Sequence, residues 1–270
     1  SIIAGRGETR IDTFHGHLLH GYFAGWKTAL VIAIEKFLAK RTHFLVAIGN
    51  EVKNDLLKAG IGRTNQYSVF FPGLPAPHTA SKSELRKNLE LDPAVIYCTF
   101  VGRLTQIKRP DRLLDIAAAM VKREVSIHFL VAGEGELFES SKTRSAAENL
   151  PVTFLGWRKD IDELFAASDI AILTSDNEGI PLTLIQAAQA GLPIVAPAVG
   201  SISDIVDNDK TGFLTSPQPG AMASALSALA TDSELRNRLG SAGKAHANEY
   251  FSLERMLRDH TEIYNRSHNK

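Results

Sequence analysis

Cysteine is almost absent from this chain, because Cys98 is the only one among 270 residues. A single cysteine excludes a disulfide framework within the chain and suits a reducing compartment. Inside an apolar run, such a thiol is usually a small buried hydrophobic residue. No signal peptide is visible, and the longest apolar run, Ala29–Ile34, is far shorter than the roughly 18–20 residues of a membrane span. These features predict a cytoplasmic protein.

An excess of charge of one sign is also lacking, because 30 Lys and Arg residues balance 30 Asp and Glu residues. This balance gives no reason to expect nucleic acid as a partner. The first 75 residues are more basic, with nine Lys or Arg against five Asp or Glu. Several of these cations fall on a helix predicted over 26–40, so a peripheral contact with a membrane is one expectation. A solvated charged face is the other explanation.

Apolar runs alternate regularly with helix-like runs beyond the proline-rich linker at 72–77. Strands that are apolar on both faces and alternate with helices predict a doubly wound, Rossmann-like parallel sheet in an α/β protein. The predicted strands are 95–101, 126–132, 152–155, 170–173 and 194–196, and the helices between them are 110–122, 138–148, 161–167 and 182–190.

The segment before the linker contains only about half of a second Rossmann-like domain. Its predicted strands are 10–14, 44–48 and 67–71, and Asn50 is the expected cap of a helix over 51–59. We therefore predict a partial domain over 1–74, a complete domain over 75–249 and a C-terminal helix over 250–270 that packs back toward the first domain. A pattern that begins in the middle of a domain leads us to expect missing upstream sequence.

Residues suited to an anion follow two of the predicted strands. Arg103 and Lys108 come after strand 95–101, and Glu178 with the segment up to Thr183 comes after strand 170–173. Open parallel sheets bind ligands beyond the carboxyl ends of their strands, and a helix N-terminus there attracts phosphate. The sequence therefore predicts a phosphate site where these loops meet, although an isolated Arg/Lys pair is more often only a pair of surface cations.

Five ordered motifs, with two further matches at the ends of the chain, resemble the GT-B glycosyltransferases, most closely the retaining family 4 enzymes. The motifs are Val101-Gly102-Arg103-Leu104, Lys108-Arg109-Pro110, Val131-Ala132-Gly133-Glu134-Gly135, Phe154-Leu155-Gly156-Trp157-Arg158 and Glu178-Gly179-Ile180-Pro181 with its continuation to Pro193. The further matches are Thr13-Phe14-His15-Gly16-His17 and the tail Tyr250-Phe251-Ser252 with Tyr264. The resemblance covers nearly the whole chain. It implies that 75–249 binds a nucleotide-sugar donor and that 1–74 lies on the acceptor side.

The resemblance also implies a role for each site residue. Arg103 and Lys108 are expected to contact the diphosphate of the donor, and Glu178 and His15 to orient the sugar. Gly135 permits a close backbone approach, and Arg158 is expected at the nucleobase. The amides of one further segment are expected to serve the phosphates, and its members are Gly179, Ile180, Pro181, Leu182 and Thr183.

Gln186 departs from the family pattern, in which a second Glu follows the first by eight residues and holds the ribose hydroxyls. Glutamine can still accept a hydrogen bond, but it lacks the charge of a carboxylate. We expect retained nucleotide binding with weaker ribose recognition, and a gain in affinity on Gln186→Glu.

Two patterns in the chain imitate metal sites. His15, His17 and His20 form a histidine cluster, but no cysteine or carboxylate pair lies near them in the sequence. Asp160 and Asp162 imitate the Asp-x-Asp motif of a different glycosyltransferase class, although they open a predicted helix, where Asp160 suits the N-cap and Asp162 the helix dipole. We expect no metal and no cofactor, since the nucleotide-sugar is a substrate.

The expected function is metal-independent transfer of a sugar, with retention, from a nucleotide-sugar to a hydroxyl acceptor. UDP is the expected nucleotide of the donor, and lipid-linked molecules are among the expected acceptors. The expected setting is polysaccharide or glycolipid synthesis. One alternative is a nucleotide-sugar epimerase of the same fold, which would release free sugar. The other alternative is a non-catalytic nucleotide-binding subunit or fragment, which Gln186 and the short first domain favour.

Overall fold

A computed structural model describes residues 9–15, 25–77 and 80–268 of the chain. The chain forms two compact units. The first unit consists of Ser1–Gly73 and Tyr250–Lys270, and the second consists of Leu74–Glu249. Each unit is described below by itself.

Parallel strands form the sheet of the first unit, in the order β1-β2-β3. Its elements are β1 (Ile11–Phe14), α1 (Gly25–Ala39), β2 (Phe44–Ala47), α2 (Asn50–Lys58), β3 (Tyr67–Val69) and α11 (Leu253–His268). Leu45, Leu56 and Ile61 are buried at the centre of its core. Helix α11 is held to the end of the preceding segment, because the amide of Gly73 donates to Sδ of Met256 at 3.2 Å.

Helix α2 begins one residue earlier than the sequence predicts. Gly49 occupies the N-cap position and Asn50 is the first helical residue, so the prediction of Asn50 as the cap is wrong. The helix ends where expected, since Gly60 follows with a φ of 75°, a conformation that glycine adopts without steric cost.

The second unit contains a sheet of six parallel strands in the order β6-β5-β4-β7-β8-β9. The strands are β4 (Tyr97–Val101), β5 (His128–Ala132), β6 (Val152–Gly156), β7 (Ile170–Ile172), β8 (Ile194–Pro197) and β9 (Gly212–Thr215). The helices are α3 (Lys82–Asn88), α4 (Pro110–Lys122), α5 (Phe138–Ala147), α6 (Ile161–Ala167), α7 (Leu182–Gln189), α8 (Ile202–Ile205), α9 (Pro219–Thr231) and α10 (Ser233–Tyr250). The predicted α/β class and Rossmann-like sheet are confirmed.

The chain reverses its direction of winding between β4 and β7, the two central strands. The strands after β4 extend the sheet to one side, and the strands after β7 extend it to the other. Such a switch point opens a crevice beyond the carboxyl ends of the strands, where doubly wound domains bind nucleotides. The predicted anion-binding loops follow these two strands.

Cys98 lies in β4 with no exposed surface, as its apolar surroundings predict. Burial raises the pKa of its thiol well above the usual value. Phe100 in β4 and Phe129 in the neighbouring strand β5 are also fully buried. The centre of this core is therefore apolar and tightly closed.

Strand β9 and the short helix α8 were not predicted from the sequence. Strand β9 has only four residues, and a single buried position, Gly212, pairs opposite Ile194. A short run without strong β-branched character gives little periodic signal, so its pairing with β8 is decided by tertiary contacts.

Candidate active site at the switch point

An ion pair joins the two loops at the switch point. Nζ of Lys108, in the loop after β4, lies 2.5 Å from Oε1 of Glu178, in the loop after β7. Oγ of Ser175 donates to the same carboxylate oxygen at 2.6 Å. The Glu178 side chain is only 9% exposed and that of Lys108 is 20% exposed. Two residues 70 positions apart are thus held together where a ligand is expected.

Two hydrogen bonds to backbone carbonyls hold the same two loops together. The amide of Asp176 donates to the carbonyl of Ile107 at 2.9 Å, and the hydroxyl of Thr174 donates to the carbonyl of Lys108 at 2.8 Å. These contacts connect the two loops directly beside the ion pair. The position of Lys108 therefore depends on the loop that carries Glu178.

Asp176 strengthens this connection through the guanidinium groups of Arg109, the N-cap residue of α4, and Arg112, within α4. Nη2 of Arg112 lies 2.6 Å from Asp176, and Nη1 of Arg109 lies 3.1 Å from it. Partial burial raises the pKa of this carboxyl, but hydrogen bonds from Arg112 and Arg109 outweigh that effect, so the pKa of Asp176 lies below its usual value. The guanidinium of Arg112 is buried and also donates to the carbonyl of Thr174.

The loop that carries Arg103 packs directly against the backbone of the loop after β5. A Cβ on Gly133 would lie 2.0 Å from the carbonyl oxygen of Gly102, and one on Gly135 would lie 2.4 Å from that of Leu104. Arg103 itself is exposed, and no ion pair or side-chain hydrogen bond joins it to another described residue. Gly135 therefore has a packing role in the structure, and its predicted contact with the donor stays a prediction.

Several main-chain N–H groups before and at the start of α7 have no hydrogen-bond acceptor within the described residues. The amides of Gly179, Ile180, Leu182 and Thr183 donate to no other group in the described part of the chain. Pro181 occupies the N-cap and has no N–H, so the prediction that it contributes an amide is wrong. Glu178 lies four residues before the helix, which rules out a first-turn position for its carboxylate.

Gly200, in the segment after β8, packs against the backbone of this loop. Its φ is 54°, and a Cβ placed on it would lie 1.8 Å from the carbonyl oxygen of Glu178. The amide of Ser201 donates to the carbonyl of Gly179 at 3.0 Å. The segment after β8 thus contacts the backbone of the loop that carries the candidate catalytic carboxylate.

Arg158 follows β6 and is engaged by a nearby carboxylate. Its Nε donates to Oδ1 of Asp160 at 2.9 Å, and its Nη2 donates to Oδ2 of the same residue. This paired hydrogen bond from Arg158 holds the pKa of Asp160 below its usual value. Asp160 is the N-cap residue of α6, but its side chain makes no capping hydrogen bond. Trp157, next to Arg158, is 64% exposed.

Gln186 is also engaged by a carboxylate. Its Nε2 donates to Oδ1 of Asp162 at 2.9 Å. Asp162 lies in the first turn of α6 and Gln186 in α7, so the hydrogen bond joins the two helices. The sequence predicted only an interaction of Asp162 with the helix dipole and did not predict its hydrogen bond with Gln186.

His15 is exposed in a bend directly after β1, in the first unit. Its contact with the sugar stays a prediction. Gly16, His17 and His20 lie outside the described residues. Within the described ranges, no three His, Cys, Asp or Glu side chains are arranged to hold a metal ion.

Sequence reasoning missed three residues of this site: Ser175, Asp162 and Gly200. Ser175 carries no signal because a serine three residues before a glutamate is common in loops. Asp162 has the ordinary appearance of an acidic residue in a first helical turn. Gly200 is twenty-two residues from Glu178 in the sequence, and only the tertiary structure brings the two backbones together.

The strand order, the switch point and the ion pair across it define a doubly wound domain of the kind found in GT-B proteins. The profile of the family described as "Glycosyl transferases group 1" matches residues 81–246. Because the match covers more than half of the chain, the protein belongs to this family of glycosyltransferases.

Curated relatives support the same assignment. The chain is 31% identical over 212 residues to the Escherichia coli UDP-Gal:alpha-D-GlcNAc-diphosphoundecaprenol alpha-1,3-galactosyltransferase, with 73% of this chain and 55% of the relative covered. It is 30% identical over 236 residues to the D-inositol 3-phosphate glycosyltransferase of Rhodococcus jostii, with 82% and 52% covered. The chain thus spans about half the length of these relatives.

Solved structures show the same fold. The Anabaena protein HepE in complex with UDP has a TM-score of 0.84 and 23% identity, with 95% of this chain and 72% of that chain covered. Sucrose-phosphate synthase from Thermosynechococcus elongatus has a TM-score of 0.81 and 20% identity, with 95% and 67% covered. The predicted GT-B fold is confirmed.

Proposed function

We propose that the protein transfers a sugar from a UDP-sugar to a hydroxyl acceptor, with retention of configuration and without a metal ion. The observation that carries the proposal is the ion pair of Lys108 with Glu178 at the switch point. One loop supplies a cation for the diphosphate, and the other supplies a carboxylate for the sugar. The family membership favours transfer to an acceptor over the epimerase alternative.

The leaving diphosphate gains negative charge as its bond to the sugar breaks. Cations and N–H groups that are already aimed at that charge lower the barrier because they need no reorganisation. In the proposal, Arg103 and Lys108 contact the diphosphate, and the free amides from Gly179 to Thr183 complete its surroundings. Arg103 is available for this contact, since no other described residue engages it.

Glu178 and His15 orient the sugar in this proposal. The buried carboxylate of Glu178 is already held by Lys108 and Ser175, so its direction is set before the donor arrives. The acceptor oxygen attacks C1 from the face that the diphosphate leaves. The C1–oxygen bond to the acceptor forms, the C1–oxygen bond to phosphate breaks, and the acceptor proton passes to the departing phosphate oxygen.

Trp157 and Arg158 are the proposed contacts of the nucleobase. The Trp157 ring is exposed beyond the end of β6, and base–aromatic stacking contributes about 1–3 kcal/mol. Uracil is proposed as the base because the name of the Escherichia coli relative specifies UDP-Gal and the HepE structure contains UDP.

A lipid-linked acceptor and a peripheral membrane contact belong to the same proposal. The name of the Escherichia coli relative specifies a diphosphoundecaprenol acceptor. Helix α1 exposes Trp26, Leu30, Ile34 and Phe37 by 49–69%, and basic residues lie among them. Exposed apolar side chains beside cations are typical of helices that lie on anionic membranes. No described helix is long and apolar enough to cross a bilayer. We place the reaction in polysaccharide or glycolipid synthesis.

The proposal is tested by titrating the protein with UDP, GDP and ADP, and then by measuring UDP release from a panel of UDP-sugars with and without hydroxyl acceptors. We expect UDP to bind most tightly. Glu178→Gln keeps the shape of the side chain but removes its charge, so we expect a small change in UDP affinity and a turnover lower by about 100-fold. Absence of UDP binding would contradict the proposed function, and the anomeric configuration of the product tests retention.

A further inference from the structure

The hydrogen bond between Asp162 and Gln186 fixes the direction of the glutamine amide. An ionised carboxylate only accepts hydrogen bonds, so the nitrogen of Gln186 must face Asp162, as it does at 2.9 Å. The amide oxygen of Gln186 is therefore turned away from Asp162. No other described side chain donates to either residue.

The pair presents two acceptor oxygens with one negative charge. Oδ1 of Asp162 receives Gln186, while Oδ2 of Asp162 and Oε1 of Gln186 have no described donor. Two neighbouring acceptors match a vicinal diol, which donates two protons from adjacent carbons. A carboxylate strengthens such bonds, because hydrogen bonds to charged groups contribute about 1.5–3 kcal/mol, against about 1 kcal/mol for neutral ones.

The pair lies near the proposed phosphate site. Gln186 is four residues after Leu182, the first residue of α7, which corresponds to about 6 Å along a helix. Asp162 is in the first turn of α6, which starts at the carboxyl edge of the sheet after β6. In a nucleoside diphosphate, the ribose is bonded directly to the phosphates, so its hydroxyls lie within a few ångströms of them.

We propose that Asp162 and Gln186 together bind the ribose diol of the nucleotide, and that Asp162 supplies the negative charge that position 186 lacks. This inference rests on the proposed function, since it requires a nucleoside diphosphate at the switch point. It assigns a specificity-determining role to Asp162 and reverses the expectation for Gln186→Glu. A glutamate at 186 stands within hydrogen-bond distance of Asp162, where the two carboxylates repel each other.

Four forms of the protein test the proposal: wild type, Asp162→Asn, Gln186→Glu and the double variant Asp162→Asn/Gln186→Glu. Each is titrated with UDP, 2′-deoxy-UDP and 3′-deoxy-UDP by calorimetry. In the double variant the charge and the amide exchange places, and the hydrogen bond between the helices is kept. Glu163→Gln is the matched control, because Glu163 is an exposed neighbour of Asp162 on the same helix.

We expect wild type to bind UDP about tenfold or more tightly than the deoxy analogues, since they lose a hydrogen bond to a charged group. Asp162→Asn and Gln186→Glu should each weaken UDP binding by roughly 5–50-fold while changing the binding of the deoxy analogues much less. The double variant should recover to within about threefold of wild type, and Glu163→Gln should match wild type.

Tighter UDP binding by Gln186→Glu, or undiminished ribose discrimination by Asp162→Asn, would overturn the inference while leaving the proposed function intact. Failure of wild type to bind UDP would overturn the proposed function, and this inference with it. Binding of the deoxy analogues reports in each variant that the diphosphate site is folded.

Discussion

Arg103 and Lys108 are both cations of the loop after β4, but their surroundings differ. Lys108 is paired with Glu178, whereas Arg103 is exposed and engages no other described side chain. A guanidinium without a partner can donate two parallel N–H groups to one phosphate, which gives a paired contact that lysine cannot make. We therefore propose that Arg103 binds the ligand and that Lys108 both binds it and positions Glu178.

Replacement of Arg103 by alanine should weaken UDP binding by about 10–100-fold, because it removes charge-assisted hydrogen bonds to phosphate. The midpoint of thermal unfolding should not change, since the side chain has no described partner to lose. Calorimetric titration and a thermal scan measure the two quantities. Arg238→Ala, at another exposed arginine, is the control and should leave both unchanged. Equal UDP affinity in Arg103→Ala and wild type would contradict the assignment.

At the residue scale, the sequence predicted which residues belong to the site but not which side chains pair with each other. The motifs predicted Arg103, Lys108 and Glu178 as site residues, because they follow the ends of two predicted strands. They did not predict that Lys108 would pair with Glu178 or Gln186 with Asp162. Such pairs depend on side-chain directions across two loops or two helices, which no local spacing determines.

Among the elements, the loop between β7 and α7 depends on a glycine from another segment. Gly200→Ala should lower the free energy of unfolding by about 2–4 kcal/mol, since the new Cβ meets the carbonyl of Glu178 and φ is positive. UDP binding should weaken in the same variant because the amides after Glu178 are displaced. Chemical unfolding and UDP titration measure both effects. Gly220→Ala is the matched control, because a Cβ on Gly220 meets nothing within 4 Å.

Asp176 links the same loop to α4, and the link should depend on pH. Its pKa is lower in the folded protein than in the unfolded chain, so its stabilisation is fully present above the unfolded value of about 4 and is lost as the pH falls through the folded value. Asp176→Asn should lower the free energy of unfolding by about 1–2 kcal/mol at neutral pH, since it leaves Arg112 without its carboxylate. Urea unfolding from pH 7 to pH 3 should show this difference shrinking toward zero in acid. A difference that grows in acid would contradict the assignment.

Helix α1 is the element proposed to contact membranes. Ile34→Glu should lower binding to vesicles of anionic lipid by about tenfold, because it removes apolar surface and adds a repelled charge. Co-sedimentation measures the bound fraction, and added salt should reduce it further. Val121→Glu is the control, since Val121 is 51% exposed and Ile34 is 49% exposed. An equal loss of vesicle binding in both variants would contradict the proposal that α1 is the membrane-binding surface.

Most elements of the second unit were predicted within a few residues. Helices α4 and α6 have the predicted ends, because proline at 110 and an acidic first turn after Asp160 mark their starts. Strand β9 was missed because it is short and only one of its residues is buried. Its place in the sheet depends on pairing with β8, which the local sequence does not encode.

For the molecule as a whole, the proposed chemistry relies on the protein's own cations and amides. We expect the UDP affinity and the rate of sugar transfer to be the same with EDTA as with added Mg²⁺. In the proposal, Arg103, Lys108 and the amides before and at the start of α7 neutralise the diphosphate. Isothermal titration and a UDP-release assay check the two quantities. Loss of UDP binding or turnover on chelation would contradict metal independence.

The sequence by itself determined the α/β class, the two candidate loops and the family to which they belong, since apolar periodicity and strand-end motifs are local patterns. Only the tertiary structure decided that these loops meet at one switch point, that Glu178 is held by Lys108 and Ser175, and that Asp162 stands beside Gln186. The physical reason is that a site of this kind is made by strand order and helix packing, which bring together side chains tens of residues apart in the chain.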